Sequence, residues 1–382
     1  MAISSGSEGP LKASWSRAKR LVASKHTKLI CMLILVVIWV HLGIFLYIAR
    51  IDNRTSVVSI RYAEELEENK APLVRREPVI IPAPTVTSEK TYYSKDKVKT
   101  NPHSYTYLLN EPLFCVDRKP FLLLQIHSRP NGRDRRDAIR ETWASKEAYA
   151  RLSKTAAVVF LVGRGTNPEE NANLTQESRE FHDIIQEDFI DSYENLTIKS
   201  IMGMKFAAIY CPAAKYTLKT DDDMFINIEA LLNILEHENT TGLLGGGLAR
   251  GAKVMRGGRW KVTQDQYPYD SFPVYCAGAA YVASLDVARK LYETSEYKRR
   301  FDIEDAYVTG IVSKVAGIEP KGLPGFPFWI TRLKADNLCK VKTNELIGLH
   351  ALPPSVMRVT WSRFLDPAAS CTEPPLEPRR KT

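Results

Sequence analysis

The sequence predicts an α/β fold with a mostly parallel sheet and helices on both faces. From residue 121 onward, short apolar runs alternate with segments whose apolar residues recur at helical spacing. This alternation is typical of parallel strands joined by crossover helices. Three consecutive aspartates, Asp221 to Asp223, directly follow one of the apolar runs. Ligands of open sheets bind beyond the carboxyl ends of the strands, so the aspartates mark the expected site.

The predicted elements differ in their apolar patterns. The strands are short apolar or β-branched runs, whereas Ile198, Ile201 and Ile209 recur at the spacing of a helix that ends at Cys211-Pro212. After Gly242, glycines, prolines and tyrosines predict a loop-rich second half. In chain order the predicted elements are strand 121–126, a helix from 136 to 143 and beyond, strand 156–162 ended by Gly163, a polar helix, the apolar helix up to Cys211, strand 216–218 and helix 228–236.

The amino terminus predicts a membrane anchor. Residues 1–28 carry six Lys or Arg and one Glu, and residues 29–49 form an apolar run long enough to span a bilayer. A basic flank before the span places the amino terminus in the cytosol and the remainder in a luminal or extracellular space. The alternative is a buried helix of a soluble protein. Because this flank supplies five of the nine formal positive charges, the basic composition does not predict nucleic-acid binding.

Residues 50–105 predict a stem, since charged residues, Pro, Ser and Thr leave too little apolar sequence for a core. A single domain of residues 106–382 follows. Five cysteines on the non-cytosolic side predict two disulfides and one remaining thiol, with the pairing left open. They are Cys115, Cys211, Cys276, Cys339 and Cys371. The acceptor sequons for N-glycosylation lie at Asn53, Asn173, Asn195 and Asn239.

The aspartates predict a cation site. Both the run before them and the Met-Phe-Ile after them are apolar, which places the carboxylates at the edge of a core. Crowded carboxylates repel one another unless a cation or a basic group offsets them, and their oxygens suit Mg²⁺ or Mn²⁺. Lys219 should share the face of Asp221 and act as a neutraliser or a phosphate contact. The alternative is a solvated acidic turn.

A second acidic segment, Asp302-Ile-Glu304-Asp305, precedes a helical pattern. Carboxylates at a helix N-terminus are favoured by the helix dipole, and this is the simpler interpretation. The functional interpretation is a carboxylate base beside a sugar hydroxyl. His350 lies between apolar residues. It is either a hydrogen-bonded core or surface residue, or a metal ligand beside carboxylates.

Basic residues cluster just after the first predicted strand, among them Arg136 and Arg140. Basic side chains at a strand-to-helix junction can hold a diphosphate. At positions i and i+4 the two arginines can equally form a salt-bridged helix face. Aromatic residues concentrate at 261–281, where they form either a platform for sugars or an ordinary core.

A series of motifs runs through the predicted domain in a fixed order. They are Asn101-Pro-His-Ser104, Ala138-Ile-Arg140-Glu-Thr-Trp143, Phe181-His-Asp-Ile-Ile185, Glu187-Asp-Phe-Ile-Asp-Ser-Tyr193, Asn195-Leu-Thr-Ile-Lys199, Met202-Gly-Met204, Lys219-Thr-Asp-Asp-Asp223, Tyr275-Cys276-Ala-Gly278, Glu304-Asp305 and His350. From about Asn101 to Cys371 the chain thereby closely resembles the β-1,3-glycosyltransferase family of type II Golgi enzymes. The stretches 188–195 and 202–204 are most similar to β-1,3-galactosyltransferases that act on N-acetylglucosamine.

The resemblance implies a GT-A fold, with a Rossmann-like sheet, and inversion at the anomeric carbon. It implies that Asp221 and Asp223 hold Mn²⁺, or Mg²⁺, on the diphosphate of a UDP-sugar, and that His350 completes the metal site. It also implies that Asp305 is the catalytic base. With the basic residues noted above, the predicted donor contacts are Arg136, Arg140, Lys219, Asp221 and Asp222.

The predicted function is transfer of galactose from UDP-galactose to the 3-hydroxyl of a terminal GlcNAc or related HexNAc, on a glycoprotein or glycolipid. The enzyme would be anchored in the Golgi membrane with its catalytic domain in the lumen, where span and stem could support a homodimer. One alternative is β-1,3-N-acetylglucosaminyl or N-acetylgalactosaminyl transfer on the same scaffold. Another is a membrane-anchored lectin whose aspartates bind Ca²⁺ as a bridge to a sugar.

Overall fold

The computed structural model of this chain describes residues 92–150, 152–327 and 337–369. The predicted cytoplasmic tail, membrane span and most of the predicted stem lie outside these residues, as do Asn53 and Cys371. Within the described ranges, no helix has both the length and the apolar character needed to cross a bilayer.

Most strands of the described residues join one large sheet. In chain order the strands are β1 (Tyr107–Leu109), β2 (Leu122–His127), β3 (Ala156–Arg164), β4 (Ile184–Ile190), β5 (Tyr216–Asp221), β6 (Phe225–Ile226), β7 (Leu244–Ala249), β8 (Tyr275–Ser284), β9 (Lys321–Gly322) and β10 (Gly348–Leu349). The eight-stranded sheet has the order β1-β4-β3-β2-β5-β8-β7-β9, and β6 pairs with β10. The pairs within β4-β3-β2-β5 are parallel, whereas β8 is antiparallel to β5 and β7. The predicted α/β class with a mostly parallel sheet is confirmed.

Helices cover both faces of this sheet. In chain order they are α1 (Phe114–Arg118), α2 (Arg133–Glu141), α3 (Lys146–Tyr149), α4 (Pro168–Phe181), α5 (Leu196–Tyr210), α6 (Ile228–Leu235), α7 (Leu285–Ser295), a π-helix (Ala306–Val312), α8 (Ser313–Val315), α9 (Asn337–Lys342) and α10 (Pro354–Leu365). Alternate residues of a strand point to opposite faces. Leu122 packs in the cluster that contains Ile139 of α2, whereas Leu123 packs with Phe206 of α5. Each face is therefore buried beneath its own helices.

Some strands differ from the prediction. Strand β4 follows the polar helix α4 and was not predicted, and Gly163 lies inside β3 instead of ending it. The segment after Gly242, predicted to be loop-rich, supplies β7 and the ten-residue β8. The glycines were misleading because a Cβ on Gly245 would lie only 2.6 Å from the Leu323 side chain. Glycine inside a strand often marks such a close approach.

Residues 92–105, which the sequence assigns to the stem, pack against the folded domain. The backbone N–H of Asp96 donates to the carbonyl of Tyr297. The ring centroid of Tyr92 lies 5.4 Å from that of Tyr267. The folded domain therefore begins before residue 106, because a polar segment can be anchored by a few aromatic and backbone contacts that leave no periodic pattern.

The described cysteines include bonded and free forms. A disulfide joins Cys115 of α1 to Cys211 after α5, and Cys339 is disulfide-bonded as well. Cys276 is a free, buried thiol, and burial raises its pKa to about 12. Such a thiol carries almost no thiolate near neutral pH and is therefore poorly reactive. Cys276 thus serves packing rather than chemistry.

The sequons differ in exposure. Asn173 on α4 and Asn239 after α6 are exposed, whereas Asn195 is partly buried and donates to the carbonyl of Ile190. We expect protein made in a glycosylating cell line to carry N-glycans at Asn173 and Asn239. Mass spectrometry of peptides deglycosylated in heavy-oxygen water would measure occupancy at each asparagine. Finding both asparagines unmodified would contradict the prediction.

Candidate active site

The three aspartates lie at the carboxyl end of β5, as the sequence predicts. Asp221 is the last residue of β5 and is in register with His127, the last residue of β2. The backbone N–H of Asp222 donates to the carbonyl of His127, and the chain then turns so that Met224 enters the core. Apolar residues on both sides of the turn thus hold the carboxylates at the edge of the sheet.

Asp221, Asp223 and His350 each present one ligand atom within 4.8 Å of the others. Pairing of β10 with β6 brings His350 beside the turn, and the N–H of Leu352 donates to the carbonyl of Asp223. Asp223 Oδ1 is buried and accepts no hydrogen bond within the described part of the chain, although His350 Nε2 lies 3.4 Å away. Contact with Asp223 raises the pKa of His350. Two carboxylates, one with an unsatisfied oxygen, and an imidazole fit a divalent cation such as Mn²⁺ or Mg²⁺.

Lys219 links the acidic turn, which consists of residues 221–223, to Glu304 and Gly278. Its Nζ lies 2.8 Å from Asp221 Oδ1 and 3.7 Å from Glu304 Oε2, and it donates to the carbonyl of Gly278. Burial alone would lower the pKa of Lys219, but the charges of Asp221 and Glu304 outweigh burial and raise the pKa above its ordinary value. Lys219 therefore remains a cation and neutralises these carboxylates, which is one of its two predicted roles.

Asp305 lies at the N-terminus of the π-helix. Its Oδ2 accepts the N–H of Gly278 at 3.0 Å, and its Oδ1 accepts the N–H of Ala306 at 2.8 Å. The side chain remains partly exposed, whereas the neighbouring Glu304 is buried. Burial raises the pKa of the Asp305 carboxyl above its ordinary value. A firmly held, partly exposed carboxylate of raised pKa is suited to accept a proton.

Asp222 has different partners from the aspartates on either side of it. Ser128 Oγ donates to its Oδ2 at 2.9 Å, and Arg135 Nη1 lies 3.6 Å from its Oδ1. Burial raises the pKa of Asp222 to about 6. Asp222 thus lies beside the set formed by Asp221, Asp223 and His350, called here the Asp–Asp–His set, without belonging to it.

A cleft of about 1000 Å³ opens beside the acidic turn and is lined by the three aspartates and His350. Four basic side chains line the same cleft, and they are Arg129, Arg135, Lys199 and Arg259. Lys199 is buried on α5, where its Nζ lies 2.8 Å from Asp191 Oδ2 and donates to the carbonyl of Ser128. Carboxylates beside basic groups suit a ligand that carries both a metal ion and an anionic group. The sequence did not single out Lys199, because a charged residue within an apolar helix gives no sign of its partner.

Arg136 and Arg140, predicted to contact a diphosphate, do not line this cleft. Arg136 is fully buried, and its guanidinium donates to the two carboxylate oxygens of Glu177 at 2.7 and 2.6 Å. Arg140 bridges Glu177 and Asp183. The salt-bridged helix face is therefore the correct interpretation of this pair. Arg135, the residue before Arg136, lines the cleft instead, because successive residues of a helix point about 100° apart.

The aromatic residues at 261–281 belong to the core and not to a sugar platform. Tyr267, Phe272 and Tyr281 are all buried in one hydrophobic cluster. The exposed aromatic pair consists instead of Tyr193, which lines the cleft and is 41% exposed, and Trp260, which is 51% exposed. Trp260 Nε1 donates to the hydroxyl of Tyr193 at 2.9 Å. The sequence signal for this pair is weak, since only two glycines before Trp260 indicate an exposed loop.

A protein-family model described as galactosyltransferase matches residues 134–324, half of the chain. The matched region runs from α2 to β9 and includes the three aspartates, Lys219 and Asp305. His350 lies beyond its end. The geometry of the site is thus built largely, but not wholly, from the matched region.

Curated relatives extend the similarity. Beta-1,3-galactosyltransferase 1 of Mus musculus and that of Homo sapiens are each 38% identical to this chain over 270 residues. Each alignment covers 69% of this chain and 79% of the relative. Beta-1,3-galactosyltransferase 2 of Homo sapiens is 36% identical over 283 residues, which cover 72% of this chain and 65% of the relative.

Similarity to solved structures is weaker. The WbbM bifunctional glycosyltransferase matches with a TM-score of 0.35 and 11% identity, covering 60% of this chain and 45% of that chain. The galactosyltransferase LgtC matches with a TM-score of 0.32 and 10% identity, covering 61% of this chain and 87% of that chain. These TM-scores are too low to assign a fold or a function. The match to the family model and the identity to the curated relatives assign the family. The chain belongs to the galactosyltransferase family and is a glycosyltransferase.

Proposed function

We propose that this protein is an inverting, manganese-dependent β-1,3-galactosyltransferase that transfers galactose from UDP-galactose to the 3-hydroxyl of a terminal GlcNAc or related HexNAc. The observation that carries the proposal is a set of three potential cation ligands and a firmly held carboxylate on either side of one lysine. The Asp–Asp–His set contacts Lys219 through Asp221, and Lys219 reaches Asp305 through Gly278. The family match and the names of the curated relatives support galactose as the transferred sugar and a β-1,3 linkage.

The donor would bind with its diphosphate at the acidic turn. The Asp–Asp–His set would hold the divalent cation, which neutralises the charge that develops on the departing UDP. Arg129 and Arg135 line the cleft and replace the predicted arginine pair as proposed diphosphate contacts. Asp222 would contact the nucleotide, and Lys219 would keep the site neutral enough for an anionic donor.

Asp305 would act as the catalytic base. As the acceptor oxygen attacks the anomeric carbon, its proton passes to the Asp305 carboxylate and the bond from that carbon to UDP breaks. Attack from the face opposite UDP converts an α-linked donor into a β-linked product, so no covalent enzyme–sugar intermediate is required. The N–H groups of Gly278 and Ala306 hold the carboxylate during the transfer.

The exposed pair of Tyr193 and Trp260 supports an acceptor surface at the rim of the cleft, since aromatic faces bind the apolar faces of sugar rings. We expect Trp260→Ala to raise the KM for the acceptor roughly tenfold, about 1.4 kcal/mol, with the KM for UDP-galactose unchanged. Initial rates at varied donor and acceptor concentrations measure both constants. Met255→Ala, at an exposed residue near Trp260 in sequence, is the control. An equal rise in both KM values would argue against this surface.

The deciding experiment for the reaction is an activity matrix of UDP-sugars against glycan acceptors, with linkage analysis of the product. We expect β-1,3-linked galactose on GlcNAc, with UDP-galactose as the donor. Transfer from UDP-GlcNAc or UDP-GalNAc instead would assign the enzyme a different β-1,3 specificity. A thermal-shift scan with UDP and Mn²⁺ separates all these enzymes from a calcium-dependent lectin, which UDP would not stabilise.

The proposed location is the Golgi membrane, with a single span and a luminal catalytic domain. The apolar run at 29–49 and its basic flank support this topology. The disulfide between Cys115 and Cys211 fits an oxidising lumen. The acceptors would then be glycans of glycoproteins or glycolipids that pass through this compartment, and the span and stem are the proposed contacts of a homodimer.

A further inference from the structure

Strand β8 extends beyond its neighbour β5. The last pair in register between the two strands is Thr220 with Ala280, whereas β8 begins at Tyr275. Cys276 and Gly278 therefore have no β5 residue opposite them. A buried backbone N–H without a partner costs about 1–3 kcal/mol, so other groups have to accept hydrogen bonds from the N–H groups along this edge of β8.

Side chains of the π-helix and of Asp305 at its N-terminus accept the hydrogen bonds that a β5 residue would otherwise accept. The N–H of Gly278 donates to Asp305 Oδ2 at 3.0 Å, and the N–H of Cys276 donates to Thr309 Oγ1 at 2.9 Å. The Thr309 hydroxyl in turn donates to the backbone carbonyl of Asp305 at 2.7 Å. One buried hydroxyl therefore joins the backbone of the proposed base to the strand that holds its carboxylate.

The π-helix also lies very close to β8. A Cβ on Gly310 would lie 3.1 Å from Tyr275 Cβ, and a Cβ on Gly278 would lie 3.2 Å from Asp305 Oδ2. The hydrogen bonds of a π-helix span five residues instead of four, and such segments are rare and frequent at functional sites. Close packing at both glycines leaves the Asp305 carboxylate little freedom while the helix stays against the strand.

We propose that Thr309 is a positioning residue, whose hydroxyl holds the π-helix against β8 and thereby sets the direction of the Asp305 carboxylate. The inference rests on the proposed function, in which Asp305 is the base. Thr309 is fully buried and does not line the cleft beside the acidic turn. Its effect is therefore on the rate of transfer and not on donor binding.

Thr309→Val keeps the shape of the side chain and removes the hydroxyl. We expect kcat to fall roughly 10- to 100-fold, the scale expected when a catalytic group is misplaced by about 1 Å. The KM for UDP-galactose should stay within about twofold, because Thr309 does not line the cleft proposed for the donor and acts only through Asp305. Thr309→Ser restores the hydroxyl and should return kcat to within about threefold of the wild type. Steady-state kinetics on the full-length enzyme measures all three quantities.

Ser313→Ala is the matched control. Ser313 is buried in the same helical segment, and its hydroxyl donates to the carbonyls of Thr309 and Gly310 without bonding to β8. This variant loses a buried hydrogen bond and leaves the contact between Thr309 and Cys276 in place. We expect wild-type kcat, and thermal unfolding reports the loss of stability of each variant.

Three outcomes would overturn the inference. Equal kcat losses in Thr309→Val and Ser313→Ala, or no recovery in Thr309→Ser, would show that the hydroxyl contributes only to stability. If Thr309→Val does not fold, Thr309→Ala, which also lacks the hydroxyl, replaces it in the same comparison. The Asp305→Asn variant separates this inference from the proposed function. Full turnover of Asp305→Asn would refute the base itself, whereas an inactive Asp305→Asn beside a normal Thr309→Val would refute only the positioning role.

Discussion

Replacement of Asp305 by Asn is expected to lower kcat by about 100- to 10,000-fold, the range that a general base contributes. Asparagine keeps the size of the side chain and one oxygen, which can accept from one of the N–H groups of Gly278 and Ala306, but it cannot take the proton of the acceptor hydroxyl. The affinity for UDP in Mn²⁺ should not change, because the Asp–Asp–His set is intact. Transfer rates and calorimetric titration with UDP measure the two quantities.

The control for this substitution is Asp302→Asn, three residues earlier in the chain. Asp302 is exposed and so tests the loss of one negative charge near the same helix start. Its turnover should equal that of the wild type. Near-normal turnover of Asp305→Asn, with folding verified by thermal unfolding, would mean that the base lies elsewhere.

The raised pKa of Asp305 predicts the direction of the pH dependence. Burial favours the protonated form, and only the deprotonated carboxylate can accept the acceptor proton. Activity should therefore be full above the raised pKa and be lost as the pH falls through it. The midpoint should lie above about 3.9, the ordinary value for aspartic acid. The profile of kcat/KM against pH locates this limb, and a midpoint at or below the ordinary value would contradict the assignment.

Asp223→Ala is expected to abolish the manganese-dependent part of UDP binding, with a loss of at least about 100-fold in affinity, or about 2.7 kcal/mol. Asp223 offers a buried carboxylate oxygen that accepts no hydrogen bond among the described residues, and His350 Nε2 lies close to it. Removing this carboxylate leaves one carboxylate and an imidazole, which bind a hard cation weakly. Calorimetric titration with UDP, with and without Mn²⁺, measures the effect.

Asp134→Ala is the control for this measurement. Asp134 also lines the cleft, but its carboxylate is largely exposed and pairs with Arg358. It should retain manganese-dependent UDP binding, because the loss of one exposed negative charge near the cleft does not remove a cation ligand. Unchanged affinity in Asp223→Ala would remove this residue from the proposed metal site.

Local patterns predict the parallel half of the fold but not all of it. The run that ends at Asp221 is recognisable as a buried strand, since most of its residues are apolar, aromatic or β-branched and acidic residues follow at once. Strand β4 was not recognised because it carries a fully buried carboxylate. Glu187 is tolerated there since His103 and Lys205 pair with it. Both partners lie far from β4 in sequence, so no periodic pattern reveals the strand.

The arginines of α2 show the same limit in the site. Their residue type and their spacing in the sequence are compatible with either a diphosphate contact or a salt-bridged helix face. The rotation of the helix, set by packing of Ile139 into the core and by the pairing of Arg136 with Glu177, points Arg135 rather than Arg136 to the cleft. Glu177 belongs to α4, and its approach to α2 depends on how both helices pack on the sheet.

The chemical groups and the family follow from the order of residues alone. Motifs identify the four proposed site residues, because the chemical identity of each side chain can be read directly from the sequence. These residues are Asp221, Asp223, Asp305 and His350. The arrangement of these groups required the fold. Strand register places Lys219 between the acidic turn and the carboxylate of Asp305, and the unpaired edge of β8 brings the π-helix against it. Such contacts join residues far apart in the chain, and their geometry arises only when the sheet and its helices pack together.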